Sequence, residues 1–289
     1  MKKILYLIPL AALALASCQK ESEVRPVNND EIRFTMDGEF GASVKTKAAT
    51  TPVTSLTTFN VNAVTGTMGS AETSVFNVAF SKDGSTANYV GGKYWPNANP
   101  SYKFYAANAA MTPSASGPTV AAANTQDVVC AVLASPSYKA SNALTFNHIF
   151  ARVGKCTITA PAGYTVSNLA VKITPNTGGT YNLYKGNGKT DGTGWTGLTA
   201  GSPTTIASAL DATADNGLYL VPGSYTLTAT YTLTAGDYTE NFTKTSTVSI
   251  VGGKVNNISA TLPGGNAQQI VFTVSVADWG VNNITATLS

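Results

Sequence analysis

Apolar and polar residues alternate along most of this chain, starting just after residue 30. Ile32, Phe34 and Met36 alternate with polar residues, and this pattern predicts a half-buried strand that ends at the turn Asp37-Gly38. The next strand is predicted over 59–64. Residues 41–52 between them are small, polar and basic, without an apolar period. We expect this segment to be an exposed loop of the kind that proteases cut.

Short strands with the same alternation recur at regular spacing along the rest of the chain. They are predicted over 74–80, 88–94, 102–108, 127–133, 144–153, 155–159, 166–173, 180–184, 217–221, 224–233, 238–251, 254–262 and 269–276. Turn signals such as Asp83-Gly84 and Pro96-Asn97 separate them, which is typical of a β-sandwich or barrel. No amphipathic helices lie between the strands, so an all-β fold is predicted rather than a parallel βαβ fold. The pattern restarts at Leu144, which predicts a domain boundary near 142–145.

One predicted strand is nearly repeated at the end of the chain. The sequence of 255–262 is VNNISATL, and that of 281–288 is VNNITATL. In the second copy Ile284, Ala286 and Leu288 share one face of an extended chain. We interpret the second copy as an additional strand of the same type, although Thr-rich strands also recur through composition alone.

The N-terminus has the order of a secretory signal. Lys2 and Lys3 precede an apolar run over 4–16, and small residues follow it. The run is too short for a spanning helix. Its end, Leu15-Ala16-Ser17-Cys18, resembles the lipobox of bacterial lipoproteins, which implies acylation of Cys18 and cleavage before it. The alternative is an ordinary signal peptide with an incidental cysteine. Residues 19–29 are polar and predict a flexible tether.

Composition excludes one class of partner. The chain has 18 Lys and Arg residues against 15 acidic residues, and the leader accounts for two of the basic ones. The remaining chain is close to neutral, so it lacks the dense basic face that nucleic acid binding needs.

The cysteines allow two interpretations. Beyond Cys18, the sequence contains only Cys130 and Cys156, each within a predicted strand. They form one disulfide in an oxidising compartment, or they are two buried thiols that pack as small apolar groups. With a single histidine and no close cysteine pair, no metal site is predicted, and no cofactor motif is present.

Catalytic motifs are also missing. His148 is the only histidine and lies in a strand of Phe and Ile, which favours a structural role. The loop Gly186-Asn187-Gly188-Lys189-Thr190 lacks the first glycine of a P-loop, because residue 183 is Leu. Tyr94, Trp95 and Trp195 could line a sugar site, but aromatic residues at strand ends more often pack against the core. We therefore expect that the protein is not an enzyme.

Several segments together resemble the fimbrillin family of Bacteroidales, the subunits of lipoprotein-derived type V pili. The segments are the lipobox at Cys18, Tyr94-Trp95-Pro96, Tyr102-Lys103-Phe104-Tyr105-Ala106, the run 144–153, Val221-Pro222-Gly223-Ser224-Tyr225, Gly253-Lys254-Val255-Asn256 and Val276-Ala277-Asp278-Trp279. They follow one another over most of the chain.

This resemblance implies two transthyretin-like β-sandwich domains in tandem, over 30–143 and 144–289, after a signal peptide over 1–18 and a tether over 19–29. It also implies an outer-membrane lipoprotein at the cell surface that becomes part of a fimbrium. A protease would remove the first strand with Ile32, Phe34 and Met36, and a strand from the next subunit would replace it. Residues 281–288 are the predicted donor. The expected partners are other pilus subunits in a head-to-tail polymer, the outer membrane before processing, and ligands on host or bacterial surfaces.

One feature departs from the family pattern. The family is usually cut after an Arg in the loop that follows the first strand, whereas this loop offers Lys45 and Lys47. Either the protease accepts Lys, or this subunit keeps its first strand and serves as an anchor. A different class of function is a monomeric surface lipoprotein that binds glycans. Filament formation by the cleaved protein would separate the two functions.

Overall fold

The computed structural model describes residues 30–37, 56–98, 100–121, 126–264 and 268–278. Within these ranges the chain is almost entirely β. The strands up to residue 148 are β1 (Glu31–Met36), β2 (Thr58–Thr67), β3 (Ala71–Lys82), β4 (Tyr89–Tyr94), β5 (Lys103–Ala107), β6 (Met111–Thr112), β7 (Thr119–Ala121), β8 (Val129–Leu133), β9 (Ser141–Leu144) and β10 (Asn147–His148).

The strands after residue 150 are β11 (Ala151–Thr159), β12 (Thr165–Ile173), β13 (Asn176–Thr177), β14 (Thr180–Asn182), β15 (Trp195–Thr196), β16 (Thr199–Ala200), β17 (Thr204–Ala207), β18 (Asp215–Leu220), β19 (Gly223–Ala235), β20 (Tyr238–Ile250), β21 (Lys254–Thr261) and β22 (Thr273–Asp278). One short helix, α1 (Leu183–Gly186), follows β14, where a strand was predicted through residue 184.

The two halves of the chain repeat one strand topology. The first half forms an eight-stranded sheet in the order β10-β8-β5-β2-β3-β4-β1-β9, and the second forms two sheets, β18-β11-β21-β22 and β17-β12-β19-β20. The run β8-β5-β2-β3 has the same order as β20-β19-β12-β17, and β4-β1-β9 has the same order as β18-β11-β21. The first strand of each half is antiparallel to one neighbour and parallel to the other.

A buried asparagine marks equivalent positions in the two halves. The side-chain Oδ1 of Asn142 accepts a hydrogen bond from the backbone N–H of Ser137, and its Nδ2 donates to the carbonyls of Ser137 and Ala140. The side chain of Asn256 makes the same three bonds to the residues five and two positions before it. Both asparagines therefore fix the turn before the last strand of the repeated unit, β9 or β21.

Each half has its own core, and a third cluster lies between the halves. Phe34, Phe59 and Phe104 belong to the first core, and Val171, Leu227 and Ile258 to the second. The third cluster contains Tyr105, Val120, Phe150, Trp195 and Tyr219, which come from both halves. Here β7 of the first half pairs with β14 of the second, within the short sheet β15-β14-β7-β6.

The run 144–153 is not the single strand that the alternation predicts. Its residues contribute to β9, β10 and β11 in turn. Phe146 packs in the first core, while Phe150 packs in the cluster between the halves, so the chain changes direction between them. Because β10 pairs with β8, the first sheet continues to His148, beyond the boundary expected at 143–144.

Candidate functional site

The first strand lies inside its sheet rather than at an edge. β1 pairs antiparallel with β4, where Phe34 is opposite Tyr89, and parallel with β9, where Phe34 is opposite Asn142. The side chains of Ile32 and Phe34 are completely buried, and Met36 packs against the same core with partial exposure. The predicted half-buried strand is thus present, and its three apolar residues face the core.

Phe34 is the centre of the contacts that hold β1. Its ring makes edge-on contacts with Phe80 at 5.2 Å and with Phe104 at 5.0 Å between ring centroids. Complete burial of an aliphatic or aromatic side chain stabilises a fold by roughly 1.5–3 kcal/mol. Removal of β1 would therefore expose an apolar groove that Phe80 and Phe104 line. Unpaired backbone groups of β4 and β9 would lie along its two sides.

Polar contacts hold both ends of the strand. Before the strand, Nζ of Lys139 lies 2.6 Å from the side-chain carboxylate of Asp30. The backbone carbonyl of Asp30 accepts a hydrogen bond of 2.6 Å from the backbone N–H of Trp95. The hydrogen bond to Asp30 raises the pKa of Lys139. After the strand, the N–H of Asp37 donates to the carbonyl of Leu144 at 3.0 Å. The contacts of Asp30 lie outside the strand, and the alternation of apolar residues does not reveal them.

The aromatic residues considered as a sugar site do not form an exposed platform. Trp95 and Trp195 are 4% and 9% exposed, and only Tyr94, at 50%, is well exposed among the three. The indole of Trp95 stacks on Tyr102, while that of Trp195 packs against Phe150 between the halves. Trp95 stabilises the first core and Trp195 stabilises the cluster between the halves, so neither tryptophan offers a flat exposed surface to a sugar ring.

His148 lies at the end of the first sheet and contacts a carboxylate. Its Nδ1 is 2.8 Å from Oδ1 of Asp127, and both side chains are buried. No group of three or more His, Cys, Asp or Glu side chains that could hold a metal ion occurs among the described residues. Within the same ranges, no helix has the length and apolar composition needed to cross a membrane.

The two cysteines are free thiols, so the disulfide interpretation is wrong. Cys130 lies in the cluster between the halves, whereas Cys156 lies in the core of the second half. Burial raises the pKa of the Cys156 thiol to about 12 and raises that of Cys130 as well. Both side chains remain protonated at neutral pH and pack as small apolar groups.

Other predicted site residues lie outside the described ranges. These are Cys18, the lysines Lys45 and Lys47, and the three residues of the predicted donor strand, Ile284, Ala286 and Leu288. Their predicted roles stay predictions. The shared turn role of Asn142 and Asn256 was not predicted, because these asparagines are the only identical residues between 137–144 and 251–258.

The sequence matches the fimbrillin-like family over residues 46–279. In fold it is similar to a Bacteroides ovatus protein described as a cell adhesion protein, with 14% identity, coverage of 88% of this chain and 99% of that one, and a TM-score of 0.47. A Bacteroides eggerthii protein of the same description has 14% identity, coverage of 87% and 98%, and a TM-score of 0.48.

A fimbrial assembly protein from Parabacteroides distasonis has 10% identity, coverage of 76% and 91%, and a TM-score of 0.36. No curated protein matches the sequence. The family match covers most of the chain, from the segment before β2 to the end of β22. This chain belongs to the fimbrillin-like family, whose members are structural and non-enzymatic proteins.

Proposed function

We propose that the protein is a structural subunit of a surface pilus that polymerises by strand exchange and supports adhesion. It is exported as a lipoprotein through Cys18, and its two β-sandwich domains are divided near residue 150. The observation that carries this proposal is the position of β1. It is an interior strand whose Ile32 and Phe34 side chains are completely buried.

The connectivity of β1 makes it removable by one cut. The polypeptide joins it to the rest of the fold only through residues 38–55, which contain Lys45 and Lys47. After a cut there, β1 would be retained through its contacts with β4, β9 and the core and through the polar contacts of Asp30 and Asp37. Its displacement would leave a groove that favours a replacement strand, because a new strand restores both the backbone hydrogen bonds and the apolar burial.

The C-terminal segment has the spacing that such a replacement needs. Ile284, Ala286 and Leu288 occupy alternate positions, as Ile32, Phe34 and Met36 do. In an extended chain each set lies on one face. A donor from one subunit in the groove of the next makes a head-to-tail contact that does not close on itself, so it builds a filament.

The experiment is a controlled cut of the purified chain. The sequence Lys45-Thr46-Lys47 is replaced by the recognition site of a specific protease, and the chain is compared by sedimentation and electron microscopy before and after cutting. The proposal expects a monomer before the cut and filaments after it. A matched variant that also lacks 281–289 is expected to be cut without polymerising.

Two results would contradict parts of this scheme. A cut chain that stays monomeric at high concentration would show that strand exchange does not occur at β1. Filaments from the variant without 281–289 would place the donor elsewhere in the chain. A native subunit that stays uncut and lipidated would instead serve as the anchor of a pilus.

A further inference from the structure

Among the described residues, no strand covers the outer edge of β9, which lies beside the proposed strand-exchange site. The carbonyl of Leu144 accepts from Asp37 on the β1 side, so the backbone groups of Leu144 and Asn142 face β1. Backbone groups alternate in direction along a strand. The N–H and C=O groups of Ser141 and Ala143 therefore face away from β1, and no described strand pairs with them.

The equivalent edge in the second half is covered. β21 occupies the position of β9, with Asn256 in the place of Asn142, and β22 pairs antiparallel with the outer edge of β21. The repeated topology therefore shows that the last strand of this unit can accept a further antiparallel strand. In the first half, the described residues supply no such strand.

The outer edge of β22 is likewise uncovered by any strand in the part of the chain that the structure describes. β22 ends the order β18-β11-β21-β22, and its backbone groups at Val274 and Val276 face away from β21. The side chain of Val276 is 52% exposed, which is high for an apolar residue in a strand. Exposed edges of this kind are templates for pairing with another chain unless charges or bulges protect them. By contrast, the long edge strand β20 carries Glu240 and Lys244.

We infer that the outer edge of β9 pairs antiparallel with the outer edge of β22 of a second copy of this chain. Ser141 lies opposite Val276 of the second copy, and Ala143 lies opposite its Val274. In this register Asp278 of the second copy comes next to Lys139. Its carboxylate is well exposed and pairs with Lys254 of its own copy, as Lys139 pairs with Asp30, so this register brings two existing ion pairs next to each other.

The direction of the side chains fixes how the two copies face each other. Val274 packs against the core of its own half, so Val276 lies on the core-facing side of β22. Ser141 is exposed on the outer face of β9, because Asn142 and Leu144 are buried. Opposite residues of paired strands share one face. The two sandwiches therefore lie on opposite faces of the joined sheet, and β9 covers the exposed side of Val276.

This contact is separate from the proposed strand exchange but brings the donor to it. The chain continues from Asp278, which the pairing places at the Lys139 end of β9, where β1 begins. The positions of β22 and β1 on either side of β9 are two strand spacings, or about 10 Å, apart. The three steps from residue 278 to residue 281 span at most about 11 Å. Residue 281 of the second copy can thus reach the start of the groove.

Cysteine cross-linking between two variants tests the pairing. Chains that begin at Gln19 and carry Ser141→Cys or Val276→Cys are purified, mixed and oxidised, before and after a specific cut in the loop. Opposite residues of paired strands have Cα atoms about 5 Å apart, within reach of a disulfide. A head-to-tail contact predicts a disulfide dimer in the mixture but none with either variant alone. Val75, which is 45% exposed against 52% for Val276, supplies the control: Val75→Cys replaces Val276→Cys as the partner of Ser141→Cys.

A second variant tests the backbone bonds. Ala143→Pro removes an outward N–H at an edge position, where proline is tolerated. It is expected to reduce the yield of the Ser141–Val276 cross-link at least tenfold without a change in melting temperature. The inference would be overturned if Val276→Cys and Val75→Cys cross-linked equally well to Ser141→Cys. It would also be overturned if Ser141→Cys and Val276→Cys formed no cross-link in either cut or uncut chains. Polymerisation of the cut chain without this cross-link would overturn it and leave strand exchange intact. In chains that also lack 281–289, which are expected not to polymerise, the cross-link is expected to persist because oxidation traps even transient pairs.

Discussion

The first strands of the two halves occupy the same place in the repeated topology but are fixed to the fold in different ways. β11 runs between β18 and β21, as β1 runs between β4 and β9. β11 extends over 151–159 and is continuous with the segment between the halves, where Phe150 packs against Trp195. β1 extends only over 31–36, and the chain before it is the predicted tether. Under the proposed strand exchange, the equivalent strand would be removed in the first half and retained in the second.

The last strands show a second difference between the halves. β21 is eight residues long and is covered by β22, whereas β9 is four residues long and lies at the edge of its sheet. Removal of β1 would leave β9 without its only strand neighbour among the described residues. If strand exchange occurs as proposed, the first half would exchange a strand while the second half stays intact.

The largest effect is expected from truncation of Phe34. Phe34→Ala should destabilise the uncut chain by about 3–5 kcal/mol, because it leaves a cavity between Phe80 and Phe104. Chemical denaturation of the uncut chain measures this loss. Filaments made from the cut chain should be unaffected, since the residue has been removed with β1.

The matched change in the second half is Ile158→Ala on β11, which should cost about 2–5 kcal/mol. It should destabilise the uncut chain and the cut chain alike. If Phe34→Ala weakened the cut filaments as much as Ile158→Ala does, β1 would not have been displaced.

The loss of stability on replacing each turn asparagine by Ala is expected to increase with the burial of that asparagine. Loss of a side chain that satisfies buried backbone groups costs about 1–3 kcal/mol. Asn256→Ala should cost more than Asn142→Ala, because Asn256 is completely buried and also donates to the carbonyl of Arg152. Thermal denaturation of both variants measures the order. A larger loss for Asn142→Ala would contradict the equivalence of the two turns.

A smaller loss of stability is expected from a substitution at the turn residue three positions before each asparagine. Gly253 has φ of +64°, and Lys139 occupies the same position of the first half with φ of +55°. Gly253→Ala should cost about 1–2 kcal/mol, because a left-handed conformation is unfavourable for residues with a Cβ. The added Cβ would meet only the carbonyl oxygen of His148, at 3.6 Å, so crowding should add little. Denaturant titration tests this value, and a loss above 3 kcal/mol would indicate a different cause.

The smallest effect is expected from the redox state of the cysteines. Because Cys130 and Cys156 are unbonded in separate clusters, a reducing agent should leave the melting temperature unchanged. Calorimetry with and without reductant checks this. A fall in melting temperature on reduction would restore the disulfide interpretation.

Local alternation predicted much of the fold. It identified β1 with its three core-facing residues and most of the long strands, because each strand of a sandwich buries one face. It did not separate β9, β10 and β11, since apolar residues at 146 and 150 point into different clusters although they belong to one apolar run.

The sequence pattern does not predict which strands pair over long sequence distances. The parallel pairing of β1 with β9 joins residues about one hundred positions apart, and nothing in either segment encodes it. β7 has three residues, too few to show a period, so the sheet between the halves was missed although β14 lies within the strand predicted over 180–184. The burial of Trp95 and Trp195 likewise depends on tertiary packing.

The most direct test of the central claim is the N-terminal residue of subunits recovered from surface pili, determined by mass spectrometry and N-terminal sequencing. Removal of β1 before assembly predicts polymerised subunits that begin at Thr46 or Ala48, directly after Lys45 or Lys47. Polymerised subunits that begin at an acylated Cys18 and still contain Ile32, Phe34 and Met36 would contradict it.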